Sequence, residues 1–317
     1  MKHVIVTGGA GFIGSHLCDA LLKRGYAVTA IDNYLTGRPE NLDEARHHSN
    51  FHFLEQDVCQ PLNPEEIPGI KKFGLHGILH FACPASPVDF ERLAIQILEV
   101  DSIGTQQTIR LALQFGSRYL LASTSEVYGD PLVHPQVETY WGNVNPIGPR
   151  ACYDETKRFA EAYVSTATRL QNLNGSIVRI FNTYGPRMRI DDGRIVPELC
   201  RQALKGQPLT LHGDGKQTRS FCYISDLVEG ILRLFESDVH DPINLGNPTE
   251  RSVLDFAQWV QKLTQSQTEL KFLPGRTDDP QVRCPEITRA RTLLNWEPTV
   301  HLEEGLQHTL ADFRKYL

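Results

Sequence analysis

The chain of 317 residues lacks several features that would assign it to a specialised class of protein. It has no run of Lys or Arg, and its 32 basic and 38 acidic side chains give a formal net charge of −6. We therefore expect no nucleic acid as a partner, because phosphate binding needs a basic face. No apolar run reaches ~18 residues and no charged leader precedes the first apolar segment, so we expect no membrane span and no signal peptide.

The seven cysteines lack the spacing of a disulfide framework or a metal site. They are scattered, odd in number and never form a CxxC pair, and no other metal-ligand cluster stands out. We therefore expect reduced thiols in a cytoplasmic protein and no bound metal. Hydrophobic residues make up 40% and charged residues 22%, an ordinary globular mix that excludes a largely disordered chain.

Short apolar runs alternate with helical stretches in the first half of the chain. This alternation predicts an α/β fold with a doubly wound parallel sheet. The predicted strands are residues 3–7, 27–31, 51–55, 78–81, 119–123, 176–181 and 242–245. The predicted helices are residues 11–24, 94–115, 153–170, 226–235, 254–264 and 303–313.

The alternation becomes irregular after about residue 181, which predicts a smaller α/β lobe built onto the sheet domain. We expect residues 1–180 to form a nucleotide-binding domain, with 217–245 returning to it and 181–317 forming mainly the second lobe. Gly and Pro near residues 191–197 predict a surface loop there.

Three glycines follow the first predicted strand and open the first predicted helix. Gly8, Gly11 and Gly14 form GxxGxxG, in which the first allows a tight turn and the second lets the backbone approach a pyrophosphate. The third lets the helix pack close to the strand, and the N–H groups of the helix start favour an anion. This context predicts a dinucleotide site, with Phe12 and Ile13 in the same turn.

Polar residues at the ends of the next two strands extend this predicted cofactor site. Asp32 ends the second strand, where a carboxylate can bind ribose hydroxyls and would repel a 2′-phosphate, so we predict NAD rather than NADP. Asn33 follows it. Asp57 and Val58 follow the third strand and could reach the adenine edge, although a loop aspartate without a ligand is the alternative there.

Tyr153 and Lys157 form YxxxK on a predicted helix, where residues four apart share a face. An ammonium beside a phenol favours the phenolate, and the positive charge of NAD⁺ adds to this, so Tyr153 can act as a general base. The strand at 119–123 delivers Thr124 to the carboxyl edge of the sheet, where ligands of such folds bind. Its hydroxyl could bridge Tyr153 and a substrate oxygen.

Longer motifs resemble the extended short-chain dehydrogenase/reductases that modify nucleotide sugars. They are LASTSEVYGDP at 121–131, HPQ at 134–136, WGNVNPIG at 141–148, CYDE at 152–155, FNTYGPRM at 181–188, GDG at 213–215 and QTRSFCY at 217–223. Within that family the chain is most similar to the UDP-glucuronate decarboxylases, also called UDP-xylose synthases. The resemblance implies a Rossmann-type fold, tightly bound NAD, a UDP-sugar substrate and a homodimer.

The resemblance implies a reaction that uses NAD and returns it unchanged. Tyr153, helped by Thr124 and Lys157, takes the proton from the sugar 4-hydroxyl while a hydride passes from C4 to NAD⁺. The C6 carboxylate then lies β to the C4 ketone, so CO₂ leaves readily. Protonation at C5 and return of the hydride give UDP-xylose.

Two other kinds of function stay open at this point. One is a sister enzyme on the same scaffold, either a 4-epimerase acting on UDP-glucuronate or another UDP-sugar, or a 5,6-dehydratase. Decarboxylase and epimerase share the oxidation step and differ in whether the keto acid keeps its CO₂. The other is a non-catalytic NAD-binding sensor, against which the presence of both Tyr153 and Lys157 argues.

The two residues after Thr124 bear on the choice of reaction. Sugar 4,6-dehydratases resemble this chain but carry Asp-Glu there, and that Asp expels the C6 hydroxyl as water. Ser125 is a poor acid for this task, which argues against such a dehydratase. The resemblance places Glu126 near C5, where it could manage protonation or ring geometry; a buried structural glutamate is the alternative.

The resemblance also implies a set of substrate-binding residues. Arg219 is the candidate for the UDP diphosphate, because arginine suits bidentate phosphate contact. Arg283, within residues 279–285, matches an arginine near the diphosphate and sugar, and Arg187 would face the cofactor or the carboxylate. The full set is Pro84, Ser86, Asn182, Arg187, Arg219 and Arg283.

The chain departs from the family pattern in the loop expected beside the sugar. Phe90 stands where a Tyr is usual and lacks its hydroxyl, and Gln96 stands where a basic residue is usual. Asp101 replaces the usual Asn or Ser. The resemblance further implies that helices near 94–115 and 153–170 of two subunits pack together, through apolar positions at Ile95, Leu98, Ile109, Leu113, Phe159, Ala162 and Tyr163.

Overall fold

In the computed structural model, which describes residues 1–275 and 282–317, helices cover both faces of a parallel sheet. The strands are β1 His3–Thr7, β2 Ala27–Asp32, β3 Phe51–Glu55, β4 Gly77–His80, β5 Arg118–Thr124, β6 Asn174–Ile180, β7 Thr183–Tyr184, β8 Leu209–His212, β9 Thr218–Ser220, β10 Cys222–Tyr223, β11 Ile243–Leu245, β12 Glu250–Ser252 and β13 Leu270–Leu273. The helices are α1 Phe12–Lys23, α2 Asp43–Arg46, α3 Ile70–Phe73, α4 Asp89–Arg92, α5 Ala94–Glu99, α6 Thr105–Phe115, α7 Ala151–Gln171, α8 Ile195–Leu204, α9 Ile224–Glu236, α10 Val253–Thr264, α11 Thr288–Leu294 and α12 Leu302–Phe313. A π-helical turn, Val100–Gly104, joins α5 to α6.

The sheet has seven strands in the order β11-β6-β5-β4-β1-β2-β3, and every neighbouring pair is parallel. The chain runs outward from β1 through β2 and β3, and then crosses to the other side of β1 to form β4. The reversal opens a crevice beyond the carboxyl ends of β1 and β4, where ligands of such sheets bind. The predicted α/β fold with a doubly wound parallel sheet is confirmed.

The central strands are apolar throughout because both faces of the sheet are covered. Val4 and Val6 of β1 point into a core that they share with α1 and α9. Ile5, between them, points into a second core on the opposite face, which α6 and α7 complete. Since successive side chains alternate between faces, burial on both sides requires the unbroken apolar runs that predicted these strands.

A third core lies in the second lobe, where α8, α10 and α12 pack around buried aromatic side chains. Phe221 and Phe256 meet there with ring centres 4.5 Å apart. Small strand pairs frame this lobe: β8 with β13, β9 with β12 and β7 with β10. In this way the second half of the chain adds its own packed unit beside the sheet.

The predicted strands and helices are all present, and their ends differ from the structure by two residues or fewer. Residues 94–115, predicted as one helix, form two α-helices, α5 and α6, that a π-helical turn separates. The expected loop at 191–197 is wrong in its second half, where α8 begins. Pro197 lies in the first turn of α8, where its missing N–H breaks no helical hydrogen bond.

Candidate active site

The turn between β1 and α1 brings backbone segments into close contact. Gly8 has a φ of +68°, and a Cβ there would lie 2.6 Å from the carbonyl oxygen of Phe81, just past β4. A Cβ on Gly14 would lie 2.1 Å from the carbonyl oxygen of Gly8. Gly11, which has no side chain to cap the helix, is the N-cap of α1. The helix therefore presents its first N–H groups and its positive dipole end to an anion.

Asp32 ends β2, where backbone N–H groups hold its carboxylate. Its Oδ2 accepts a hydrogen bond from Ala10 N–H at 2.9 Å, and its Oδ1 accepts one from Tyr34 N–H at 2.8 Å. Burial raises the pKa of Asp32, and these backbone hydrogen bonds oppose the rise. Nearby, Asn33 Nδ2 donates to Asp57 Oδ2 at 3.3 Å. The structure thus brings together the polar ends of β2 and β3.

Two cavities meet at this turn, and Gly8 and Gly11 line both of them. Of the predicted site residues, the smaller one, which we call the narrow cavity, also holds Asp32, Asn33, Asp57, Val58 and Pro84. The larger one, the main cavity, also holds Phe12, Ile13, Gly14, Ser86, Thr124, Ser125, Glu126, Tyr153, Lys157, Asn182, Arg187, Arg219 and Arg283. Every predicted cofactor, catalytic and substrate residue therefore lines one of the two cavities.

Tyr153, Lys157 and Thr124 converge in the main cavity from α7 and from the end of β5. Tyr153 and Lys157 lie one helical turn apart, both buried, and Lys157 Nζ is 5.7 Å from the centre of the Tyr153 ring. Burial raises the pKa of Tyr153, whereas the Lys157 charge and a hydrogen bond with Thr124 lower it. A further positive charge in the cavity would favour the ionised phenol, as general-base action requires.

Asp101 pairs with Lys157, a contact that the sequence did not reveal. Lys157 Nζ donates to Asp101 Oδ1 at 2.9 Å and to the Ala122 carbonyl oxygen at 3.1 Å. Burial lowers the pKa of Lys157, but the Asp101 carboxylate outweighs this, so the pKa lies above its ordinary value. The departure from Asn or Ser at position 101 was the only signal in the sequence. Asp101 can reach Lys157 because the π-helical turn directs the Asp101 side chain inward.

Glu126 lies between two arginines at the wall of the main cavity. Arg283 contacts both of its carboxylate oxygens, with Nη1 to Oε1 and Nη2 to Oε2 each at 2.7 Å. Arg150 Nη2 lies 2.7 Å from Oε2. Burial alone would raise the pKa of Glu126, but the charges of Arg283 and Arg150 hold it below its ordinary value. Glu126 is therefore a carboxylate near neutral pH and a poor proton donor.

Asp154 follows Tyr153 on α7 and titrates much closer to neutrality. Burial and the charge on Glu126 raise the pKa of Asp154 to about 7. Its Oδ2 lies 3.9 Å from Nε of Arg150. Sequence reasoning missed Arg150, although its place three residues before Tyr153, at the start of the same helix, puts both side chains on one face and could have pointed to it.

The other two predicted arginines are held differently. Arg219 is buried in β9, and its Nη1 donates to the carbonyl oxygen of Thr218 at 2.8 Å. Arg187 extends toward α1, where its Nη2 lies 2.7 Å from Oδ2 of Asp19. Both residues line the main cavity. Its wall is therefore rich in positive charge, which suits an anionic ligand.

Asn182 and Ser86 complete the predicted substrate set in the main cavity. The buried Asn182 Nδ2 has no hydrogen-bond partner within the part of the chain that the structure describes. A buried donor of this kind is satisfied when a ligand accepts its hydrogen bond. Ser86 donates its hydroxyl to the carbonyl oxygen of Asp192, which joins the segment after β4 to the segment before α8.

The segment after β4 covers Tyr153. The Phe90 ring stacks on the Tyr153 ring, with centres 5.0 Å apart and planes at 20°. The Arg150 guanidinium lies 5.4 Å from the centre of the Phe90 ring. Gln96, expected in the same sugar-facing loop, instead lies on α5 and lines the narrow cavity. Of the two unusual residues, Phe90 is thus the one in contact with Tyr153.

The part of the chain that the structure describes offers neither a metal-ligand cluster nor a membrane-spanning helix. No group of three or more His, Cys, Asp or Glu side chains there is arranged to hold a metal ion. Within residues 1–275 and 282–317, none of the helices has the length and apolar character needed to cross a bilayer. All seven cysteines are free thiols. Residues 279–281, part of the segment that predicted Arg283, lie outside the described residues.

Comparison with known proteins identifies relatives along the whole chain. A model of the NAD dependent epimerase/dehydratase family matches residues 4–246. UDP-glucuronic acid decarboxylase 4 of Arabidopsis thaliana is 50% identical over 312 residues, which cover 98% of this chain and 68% of that protein. UDP-glucuronic acid decarboxylase 1 of Xenopus tropicalis is 49% identical over 316 residues, which cover 100% of this chain and 73% of that protein.

A solved structure shares the fold described above. UDP-glucuronic acid 4-epimerase from Bacillus cereus, in complex with UDP-glucuronic acid and NAD, has a TM-score of 0.88 to this chain and 28% sequence identity, with 100% of both chains covered. The family match spans the glycine turn, Thr124, Tyr153 and Lys157. On these grounds the chain belongs to the NAD dependent epimerase/dehydratase family.

Proposed function

We propose that this chain is an NAD-dependent UDP-glucuronate decarboxylase, which oxidises C4 of the sugar, releases CO₂ and restores the alcohol to give UDP-xylose. The observation that carries the proposal is the identity of about half its residues with two UDP-glucuronic acid decarboxylases, over 98% and 100% of the chain. The side chains that such a reaction needs line one cavity.

The residues at the sheet switch point fit NAD. The close backbone contacts of Gly8 and Gly14, the open start of α1 and the Asp32 carboxylate form a cradle for a dinucleotide. We assign cofactor binding to Gly8, Gly11, Phe12, Ile13, Gly14, Asp32, Asn33, Asp57 and Val58, with Tyr153 and Lys157. When bound, NAD⁺ would supply the hydride acceptor for oxidation at C4 and, once reduced, the hydride donor for the return step.

Tyr153 is the base that takes the proton from the sugar 4-hydroxyl. Thr124 orients the phenol by its hydrogen bond, and the Lys157 ammonium lies beside the ring. After this transfer Tyr153 is a neutral phenol, which can donate a hydrogen bond to the new C4 carbonyl. That carbonyl accepts the electron pair of the C5–C6 bond as CO₂ leaves, so Tyr153 stabilises the developing enolate. A proton from an exchangeable group then adds at C5 to give the 4-keto-pentose.

Glu126 and Ser125 face the C5–C6 end of the sugar without supplying an acid. Because Arg283 and Arg150 hold Glu126 as a carboxylate, its place favours control of ring geometry over proton donation. Ser125 is buried beside it and is a weak acid. This pair suits a substrate whose C6 is already a carboxylate, since it offers no group to expel a C6 hydroxyl.

The basic wall of the main cavity suits the charges of a UDP-sugar. Arg219 and Arg283 are our candidates for the diphosphate, because guanidinium groups match phosphate oxygens in pairs. Asn182 has a buried donor to offer the nucleotide-sugar. Arg187 is committed to Asp19, which favours support of the cofactor side. Pro84 and Ser86 shape the segment that covers the sugar.

Assembly and domain division are part of the proposal. Exposed apolar residues on α5 and α7, namely Ile95, Leu98 and Phe159, support a homodimer through these helices. Ile109, expected on the same face, is buried in the subunit core and contributes nothing there. Pairing of β11 with β6 and the packing of α9 against the sheet support a cofactor domain of residues 1–180 to which the later part of 217–245 returns, with a substrate lobe in 181–317. At the start of that range, β9 pairs with β12 of the lobe. The free thiols support a cytoplasmic protein.

A 4-epimerase is the second candidate, favoured by one observation. The UDP-glucuronic acid 4-epimerase from Bacillus cereus shares the fold over the full length of both chains. Both reactions begin with oxidation at C4, and the catalytic residues Tyr153, Lys157 and Thr124 would serve either. At 28% this relative is less similar in sequence than the decarboxylases, which ranks epimerisation second.

A product assay separates the two candidates. The purified protein is incubated with UDP-glucuronate and NAD⁺, and the sugar is followed by NMR and mass spectrometry. A product that has lost the mass of CO₂ and shows xylose signals is expected. Unchanged mass with galacturonate signals would overturn decarboxylation in favour of the epimerase, and no conversion would contradict both.

A further inference from the structure

Asp101 is the least exposed charged side chain around Tyr153, with no solvent-accessible surface. It lies in the π-helical turn between α5 and α6, a geometry that often marks functional sites. Its Oδ1 accepts from the Lys157 ammonium at 2.9 Å. Its Oδ2 accepts from the Thr156 hydroxyl and the Cys83 thiol, each at 3.3 Å. Three donors from two segments therefore fix this carboxylate against Lys157.

The other titratable groups that face Lys157 in the described chain are uncharged near neutral pH. Burial and the Lys157 charge lower the pKa of His80, on β4, to about 3. Burial raises the pKa of the Cys83 thiol after β4 and of the Tyr119 phenol on β5. Tyr153, on α7, also faces Lys157. Tyr153 in turn faces Arg194, whose guanidinium is paired with the Asp192 carboxylate. The charge balance at Lys157 is thus set by Asp101.

We propose that Asp101 is a positioning residue that anchors and neutralises Lys157, so that Tyr153 keeps its proton except when a positively charged nicotinamide is present. The inference rests on the proposed roles of Tyr153 and Lys157 in oxidation at C4. In a site with Asn or Ser at this position, the Lys157 charge would act on the phenol in full.

This arrangement matches the two halves of the proposed reaction. The first half needs a Tyr153 that accepts a proton while the nicotinamide is oxidised and positive. Between the halves a reduced nicotinamide would add no positive charge, and the Asp101–Lys157 pair is neutral as a whole. Tyr153 then holds its proton firmly and remains a hydrogen-bond donor to the C4 oxygen while CO₂ leaves.

The test measures the ionisation of Tyr153 itself rather than turnover. Tyrosine labelled at Cζ is followed by NMR as the pH is raised, in protein without cofactor, with NAD⁺ and with NADH; Tyr153→Phe identifies the signal. In Asp101→Asn we expect Tyr153 to ionise at a pH about one unit or more lower in each state, since an uncompensated ammonium favours the phenolate.

Two further variants keep the test decisive. Asp101→Ser, which removes the charge with a smaller side chain, repeats the comparison if Asp101→Asn does not fold. Asp226→Asn is the matched control, because Asp226 is also buried but accepts from Thr299 and Val300 at α9, and it should leave the Tyr153 titration unchanged. An unaltered titration in a folded Asp101 variant would overturn the inference. Because no substrate is present, that outcome is independent of whether the enzyme decarboxylates.

Discussion

The cofactor end of the site is made mainly of backbone, whereas the sugar end is made of charged side chains from distant segments. At the cofactor end, Gly8 and Gly14 allow β1, β4 and α1 to touch, and Asp32 is held by N–H groups. Gly8, Gly14 and Asp32 all lie within the first 32 positions of the chain. At this end a substitution acts by adding atoms where there is no room.

The sugar end depends on contacts between residues that are far apart in sequence. Arg150 and Arg283 meet Glu126 from the start of α7 and from the segment before α11. Lys157 meets Asp101 across two helices. Here Glu126 and Lys157 are paired with opposite charges before any substrate enters, so a substitution in these pairs leaves a buried partner unmatched. The comparison teaches that the two ends should respond to different kinds of change.

The largest loss of activity is expected when one oxygen atom, the Tyr153 hydroxyl, is removed from the sugar end. Tyr153→Phe removes the hydroxyl that takes the substrate proton and should lower kcat by about 10³-fold or more. NAD binding should be retained, because the backbone turn is untouched. Tyr163→Phe, on the same helix, is the control and should retain activity. Comparable turnover in the two variants would contradict the role of Tyr153.

The cofactor end is broken by adding one methyl group. In Gly8→Ala the new Cβ would lie 2.6 Å from the Phe81 carbonyl oxygen, so the turn must open, and we expect NAD affinity to fall about 100-fold. Gly25→Ala is the matched control, because Gly25 also has a positive φ but its Cβ would meet nothing within 4 Å. Calorimetric titration with NAD⁺ measures both. An equal loss of NAD affinity in Gly25→Ala would mean that strain of a positive-φ backbone, rather than the contact with Phe81, weakens NAD binding.

The charge pairing of the sugar end is tested by Glu126→Gln. The neutral amide leaves Arg150 and Arg283 uncompensated, so the free energy of unfolding should fall by about 3 kcal/mol. Displaced guanidinium groups should also lower kcat about 10- to 100-fold. The control is Glu161→Gln, since Glu161 forms a similarly buried bidentate pair with Arg179 outside both cavities. It should lose comparable stability but keep kcat; loss of kcat in both would show that the Glu126 effect is structural only.

The smallest effect concerns the pH dependence of stability at Asp154. Its pKa is about 7 in the folded protein against an ordinary 3.8, so between these values the folded state holds a proton that the unfolded state lacks. The free energy of unfolding therefore falls as pH rises through this window. Asp154→Asn removes this titration. Between about pH 5 and about pH 8 the free energy of unfolding of the variant should therefore fall by about 2 kcal/mol less than that of the unmodified protein. Urea unfolding at both pH values measures this; parallel declines would contradict the assignment.

The same contrast explains how much could be predicted from sequence. The strands were predictable because a parallel sheet covered on both faces requires continuous apolar runs. The cofactor turn was predictable because Gly8, Gly11 and Gly14 act within one strand–turn–helix unit. Tyr153 and Lys157 were brought together by helical spacing alone. In each case the pattern that carries the prediction lies within one short stretch of sequence.

Other features needed the folded chain. The short strands β7 to β10, β12 and β13 have at most four residues and pair with distant partners, so no local period marks them. Arg150 and Asp101 owe their places to the start of α7 and to a π-helical turn, which composition does not indicate. Glu126 was expected near C5, but its pairing with two arginines, which makes it a poor acid, is a tertiary property.

The central claim is that decarboxylation occurs between two hydride transfers at C4, and its most direct test is conversion of UDP-glucuronate in deuterated water. After CO₂ leaves, C5 must take its hydrogen from an exchangeable group, whereas the hydrogen removed from C4 returns to C4. The account predicts UDP-xylose with one deuterium at C5 and none at C4, by NMR and mass spectrometry. Recovery of a uronic acid without loss of CO₂, or deuterium at C4, would contradict it.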